Sequence, residues 1–316
     1  MVRQRRRDMK ILVMGAGALG GYFGARLAFA GHDVTFVARG AHLEAMQKQG
    51  LRIESRCGDI RLSKVKAVED VSKVETPDVV MLMVKTYDVE AAAIQLKPVL
   101  GPETLIVSCQ NGVSAPDRIA SVVGAGRVTP CVVYMPASIK EPGVIFHPAE
   151  FHRIGVGELD GSESKRIRAF ADAVNASGPD CTISADIRAT FWEKLIPLAS
   201  LSAITCLTRL DIGPVRDTPS TRRLLLDAID EAHAVARAVC PTVSAQAGAK
   251  ARAILLEELG RDTHASMQDD LMRGKRLELN DLSGEIVRFG ARHNVPTPFH
   301  SFATAALQPF VDGTPS

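Results

Sequence analysis

The chain has 316 residues, 46% of them hydrophobic, and its 38 Lys and Arg nearly balance 36 Asp and Glu, for a formal net charge of +2 at pH 7. That length suits two domains with sizeable cores, while the absence of a basic field and the presence of one Trp and three Tyr argue against a nucleic-acid partner. Six scattered cysteines without a Cys-x-x-Cys pair read as reduced thiols of a cytoplasmic protein, and no metal is expected because the histidines lack ligand spacing.

The basic stretch Met1–Asp8 leads into a strand pattern instead of a signal-peptide apolar segment, and is expected to be a frayed tail. No apolar run reaches the roughly 18 to 20 residues of a membrane-spanning helix, so no membrane partner is expected. Lys10–Met14 reads as a buried strand that ends in Gly15-Ala16-Gly17-Ala18-Leu19-Gly20 and passes into a helix, Leu19–Ala30, stopped by Gly31. This is how a strand presents a dinucleotide pyrophosphate to a helix N-terminus. Gly15 permits the tight turn, Gly17 lets the backbone approach the phosphates, and Gly20 allows close helix packing. Asp33–Ala38 is the next strand, and it is followed by Arg39. A carboxylate at that place would accept from a ribose 2′-hydroxyl, whereas a guanidinium pairs with a 2′-phosphate, so the pattern favours NADP(H).

Further β-rich runs follow at Leu51–Ser55, Ile60–Val65, Val79–Val84, Thr104–Cys109, Val128–Tyr134, Val144–His147 and Arg153–Val156. Lys165–Asn175 reads as a helix and Cys181–Ser184 as a last short strand. Two cofactor-side candidates terminate strands: Lys85, after the continuously apolar Val79–Val84, and Asn111, in Gln110-Asn111-Gly112. Lys85 could meet a phosphate, a ribose or the substrate, or be a surface lysine. Asn111 could bond ribose or substrate, or be part of a plain turn.

After Asp186 the texture becomes helical, with helices expected at Asp186–Ser202, Thr221–Val239, Ser244–Leu259 and Leu277–His293. The predicted architecture is an α/β N-terminal Rossmann-type doubly wound sheet over residues 1–185 and an all-α C-terminal domain over 186–316, with substrate expected between them. In the helical half, Lys194 stands beside the only Trp in an otherwise apolar helix, where it could protonate a developing alkoxide or sit on the helix surface. Ser266 and Glu278 complete the candidates. His147 and His264 read as satisfied loop histidines.

This ordered set resembles the ketopantoate reductase (2-dehydropantoate 2-reductase) family over Met9 to about Phe310. Gly15–Gly20 stands at the family's nucleotide loop, Arg39 at its NADP-selecting arginine, Lys85 and Asn111-Gly112 at matching strand ends. The resemblance implies that Lys194 is the general acid and Glu278 the catalytic glutamate. It also implies that Ser266 contacts substrate, which would be a small 2-oxo acid. Reduction of ketopantoate to pantoate, in pantothenate synthesis, is the reaction implied.

The sequence departs from the family at two places. Asparagines usually stand four and eight residues after the lysine, where this chain has Leu198 and Ser202. Pro197 is also expected to kink that helix. Loss of two amides makes the expected substrate pocket more apolar and leaves open a reductase of a different ketone, or a non-catalytic NADP(H)-binding sensor. A homodimer is left open as well.

Overall fold

The computed structural model describes residues 8–315, so the basic residues 1–7, expected as a frayed tail, lie outside it. The chain divides into two compact units. One comprises residues up to Gln110 together with Ala115–Ile187, and the other comprises Asn111–Ser114 with Arg188–Ser316.

The first unit is built on twelve strands: β1 Lys10–Met14, β2 Asp33–Val37, β3 Leu51–Ser55, β4 Ile60–Leu62, β5 Lys66–Val68, β6 Val79–Leu82, β7 Leu105–Ser108, β8 Val128–Tyr134, β9 Ser138–Glu141, β10 Val144–His147, β11 Arg153–Val156 and β12 Asp180–Ile183. Eight of them form one sheet in the order β12-β11-β8-β7-β6-β1-β2-β5. Its run from β5 to β8 is parallel throughout, with β11 antiparallel to β8. Counted along its own strands, that run has the 3-2-1-4-5-6 order of a dinucleotide-binding sheet, and the order reverses between β1 and β6. Continuous burial of Val79–Leu82 and Ile11–Met14 accounts for their unbroken apolar character. The expected α/β architecture with a helical second part is therefore borne out.

The remaining strands form a small sheet, β4-β3-β10-β9. The helix Ala18–Phe29 lies against both sheets, and its glycines make this possible. A Cβ at Gly24 would fall 2.4 Å from the Phe36 ring, and one at Gly21 would fall 3.1 Å from Ile145 of β10. Arg26, Tyr22, Ser55, His147 and His152 form a hydrogen-bonded cluster at the same seam. His147 is thus a buried strand residue, not a loop histidine. Its Nδ1 meets Ser55 Oγ at 2.8 Å and its Nε2 the Phe151 carbonyl at 3.0 Å.

In the second unit the helix Ile187–Thr208 runs unbroken through Pro197, longer than the expected Asp186–Ser202. The helix Pro219–Val239 supplies a buried stripe of Leu225, Ala228, Ile229, Ala232, Val235 and Ala236. Two expected helices are broken. Ser244–Leu259 resolves into an α-helix, Ala247–Ala253, and a wider π-turn, Ile254–Glu258. The Arg216 guanidinium donates to the carbonyls of Leu255 and Leu259 there, satisfying groups that an ordinary helix end leaves open. Leu277–His293 becomes a 3-10 turn, Leu279–Asp281, followed by a helix, Ser283–Arg292, because Leu282 at φ −114°, ψ −97° leaves helical geometry. A helix Pro298–Leu307 follows. Among the described residues no helix is long and apolar enough to cross a membrane.

Candidate active site

The carboxyl ends of β1, β2 and β6 surround a cavity of about 380 Å³, lined among others by Gly15, Ala16, Gly17, Arg39, Lys85 and Gln95. Gly15 has φ +100°, and a Cβ there would lie 2.9 Å from the Val84 backbone nitrogen. Only glycine makes this turn so close to the neighbouring strand. The turn is tied back by Ala16 N donating to the Val37 carbonyl at 2.8 Å. Gly20 is as constrained, since its Cβ would fall 2.2 Å from the Gly15 carbonyl.

Gly17 differs from both. Among the described residues a Cβ added to it meets nothing within 4 Å, so no contact there requires glycine. It lines the cavity, is the N-cap of Ala18–Phe29 and leaves the helix N-terminus without a side-chain cap. That fits an anionic pyrophosphate. Arg39 is exposed at the N-cap of the helix Gly40–Gln49, and Lys85 is half-buried at the N-cap of the turn Thr86–Asp88. Ala18 and Leu19 are the first helical residues. His42, Asp88, Gln95 and Ile139 also line the cavity. His42 belongs to a helix whose mixed polarity gave no periodic signal, and its Nδ1 accepts from Gly143 N at 3.1 Å.

In the helical unit, Lys194 Nζ donates to Asn111 Oδ1 at 2.9 Å. Its neighbours fix the helix that carries it. Trp192 is buried and sets its ring edge-on to Phe289, with centroids 5.3 Å apart, and Glu193 Oε1 accepts from Ser244 N at 3.1 Å. Leu198, one turn further, is half-buried. Ser202, two turns on, is fully enclosed, and its hydroxyl has no hydrogen-bond partner among the described residues.

Ser266 is exposed at the start of the helix Ser266–Met272. Glu278, expected at the front of a long helix, is instead the N-cap of the turn Leu279–Asp281, and it is only 4% exposed. Sequence reasoning missed Glu285, which is fully buried and accepts from the backbone nitrogens of Val113 and Ser114. His264 pairs with Asp211 at 2.7 Å, and no group of three or more His, Cys, Asp or Glu among the described residues is arranged to hold a metal.

A parallel sheet with a glycine turn at its topological switch point, together with a helical unit that holds a half-buried lysine–amide pair, defines the class as a nicotinamide-dinucleotide oxidoreductase. Comparison with known proteins gives the family. The model described as "Ketopantoate reductase PanE/ApbA" matches residues 11–161, and its C-terminal counterpart matches 186–310. The chain belongs to the ketopantoate reductase family. It is 32% identical to the 2-dehydropantoate 2-reductase of Mesorhizobium japonicum over 311 residues, covering 92% of this chain and 94% of that protein. A PanE/ApbA family ketopantoate reductase structure from Ralstonia eutropha superposes with a TM-score of 0.88 at 32% identity, covering 96% of this chain and 98% of that one. A D-mandelate dehydrogenase solved with NADH and anilino(oxo)acetate shares the fold, with a TM-score of 0.85 at 21% identity over 96% of this chain and 98% of that one.

Proposed function

We propose that this protein reduces a 2-oxo acid to the 2-hydroxy acid with NADPH, and that ketopantoate, giving pantoate for pantothenate synthesis, is its substrate. The observation that carries this reading is the hydrogen bond from Lys194 to Asn111. The amide oxygen accepts from the ammonium and so directs it, and an amide is a partner that does not take its proton. Residues 1–185 would hold the nucleotide, with Gly15–Gly20 at the pyrophosphate, Arg39 at the 2′-phosphate and Lys85 at a phosphate or ribose oxygen. When bound, the reduced nicotinamide supplies the hydride that the carbonyl carbon receives.

The chain's own residues, in 186–316 and at Asn111, would handle charge and protons. Lys194 polarises the carbonyl and gives its proton to the oxygen as alkoxide character develops. Asn111 holds the ammonium in register, and Ser266 helps orient the carboxylate end. Glu278 would hold the substrate hydroxyl or Lys194.

One observation favours a second substrate. Leu198 replaces a family asparagine with hydrocarbon, and Ser202 is enclosed, so a more apolar acid such as phenylglyoxylate would lose fewer hydrogen bonds here than ketopantoate would. The mandelate dehydrogenase of the same fold acts on an aryl hydroxy acid by its name. The test is loss of NADPH absorbance with ketopantoate, phenylglyoxylate and 2-oxoisovalerate in parallel. Preference for ketopantoate supports the first reading, and preference for phenylglyoxylate supports the second. NADPH binding without consumption in any assay would overturn both in favour of a nucleotide sensor.

A further inference from the structure

One enclosed carboxylate fastens the backbone of the segment Asn111–Ser114 within the helical unit. Glu285 lies in the first turn of Ser283–Arg292 and is 0% exposed. Its Oε2 accepts from Val113 N at 2.7 Å and its Oε1 from Ser114 N at 3.0 Å. Arg288 Nη2 stands 3.4 Å from Oε1. Gly112 completes the fit. At φ +86° it brings the loop so close to Asp281 that a Cβ would fall 2.6 Å from the Asp281 carbonyl and 3.3 Å from Glu285 Oε2.

Enclosing a carboxylate is costly unless its oxygens are bonded. Burial raises the pKa of Glu285, and the Ser114 and Val113 bonds oppose that rise. A surface loop needs no such device, because water satisfies its amides. The side chain this loop delivers is Asn111, the partner of Lys194.

We propose that Glu285 is a positioning residue for ketone reduction. By capturing two successive amides, it sets Asn111 where that side chain orients the Lys194 ammonium. This rests on the reading that Lys194 and Asn111 meet the substrate carbonyl. Enclosed as it is, Glu285 acts through Asn111 and not on the substrate. Displacements of about 1 Å in such a constellation cost on the order of 100-fold in rate.

A double-mutant cycle tests it, with turnover followed by NADPH absorbance on ketopantoate or phenylglyoxylate, whichever is reduced faster, and NADPH binding followed by fluorescence. Glu285→Gln keeps size and shape but sets an NH2 group against a backbone N–H. The expected result is a kcat at least roughly tenfold lower with NADPH affinity within roughly twofold of wild type. In an Asn111→Ala background the same substitution should lower kcat by less than roughly twofold, because its effect passes through the missing amide. An equal loss in both backgrounds, or no loss in either, overturns the proposal.

If Glu285→Gln does not fold, Gly112→Ala disturbs the same loop from the Asp281 side and enters the same cycle with the same expectation. Wild-type rates for both Asn111→Ala and Lys194→Ala would remove the underlying reading and this inference together. A slow Asn111→Ala with an additive Glu285→Gln would overturn this inference alone.

Discussion

Lys194 and Asn111, 83 positions apart in the chain, are joined by a 2.9 Å hydrogen bond from the ammonium to the amide oxygen. Neither residue is self-explanatory alone: a lysine on a helix and an Asn-Gly turn are both common surface features. Joined, they make a directed cation with a neutral acceptor. A chain that only bound nucleotide would gain nothing from holding that cation so closely.

Lys194→Met keeps most of the apolar stem and removes the charge and the proton. Turnover is expected to fall by about 100- to 10,000-fold, the usual contribution of a positioned acid. NADPH affinity and melting temperature should stay close to wild type. Steady-state rates with a fluorescence titration check this, and a variant that turns over normally would show that the proton comes from elsewhere.

The last two glycines of the nucleotide turn, Gly17 and Gly20, should part company on substitution. Gly20→Ala places a Cβ 2.2 Å from the Gly15 carbonyl, so the helix must lift off the turn and the protein should melt several degrees lower. Gly17→Ala meets no protein atom within 4 Å, so its melting curve should overlay that of wild type while NADPH affinity falls by at least roughly tenfold, because the methyl takes the space of the phosphate oxygens. Normal nucleotide affinity in Gly17→Ala would move the pyrophosphate off this turn.

These glycines also show which parts of the molecule were legible in its sequence. The turn, β1 and the lysine beside Trp192 follow from local rules: an apolar run, fixed glycine spacing, a cation set beside the Trp of a mostly apolar helix. Glu285 was not legible. In sequence it is an acidic residue inside the expected amphipathic helix Leu277–His293, where a solvated carboxylate is expected, and its burial comes from a loop 171 and 172 positions away. The small sheet was hidden for a similar reason. Its parallel pairing of β3 with β10 joins distant segments, and β9 is exposed along its whole length, without the alternation that marks a strand. The break at Leu282 follows from backbone geometry that a periodic apolar pattern does not register.

Arg39 is exposed at the edge of the nucleotide cavity, so its role is testable without disturbing the core. Arg39→Asp exchanges a partner for the 2′-phosphate for one that suits a 2′-hydroxyl and repels the phosphate. A charge-assisted hydrogen bond contributes about 1.5 to 3 kcal/mol, so the KM for NADPH should rise by roughly 10- to 100-fold. The KM for NADH should hold or improve. Unchanged preference would assign the reading of the 2′-phosphate to another group lining the cavity.

His300 gives the molecule a stability profile of definite sign. It is fully buried, its Nε2 lies 3.0 Å from the Ala228 carbonyl and its Nδ1 lies 3.2 Å from Ser283 Oγ, which suits a neutral ring donating to the carbonyl and accepting from the hydroxyl. Burial lowers its pKa from 6.5 to about 4. The unfolded chain therefore binds this proton more readily than the folded one. Stability from the neutral ring is complete above pH 6.5, is lost as pH falls toward 4, and amounts to about 3 kcal/mol over that window. Burial also lowers His147 and His152, which act in the same direction. The raised carboxyls of Glu231 and Glu285 act in the opposite direction, because folding favours their protonated form. The difference between wild type and His300→Gln isolates the one group. Denaturant titrations at pH 7.5 and pH 5 should show wild type losing more stability on acidification than the variant, and identical losses would mean that folding does not lower the pKa of His300.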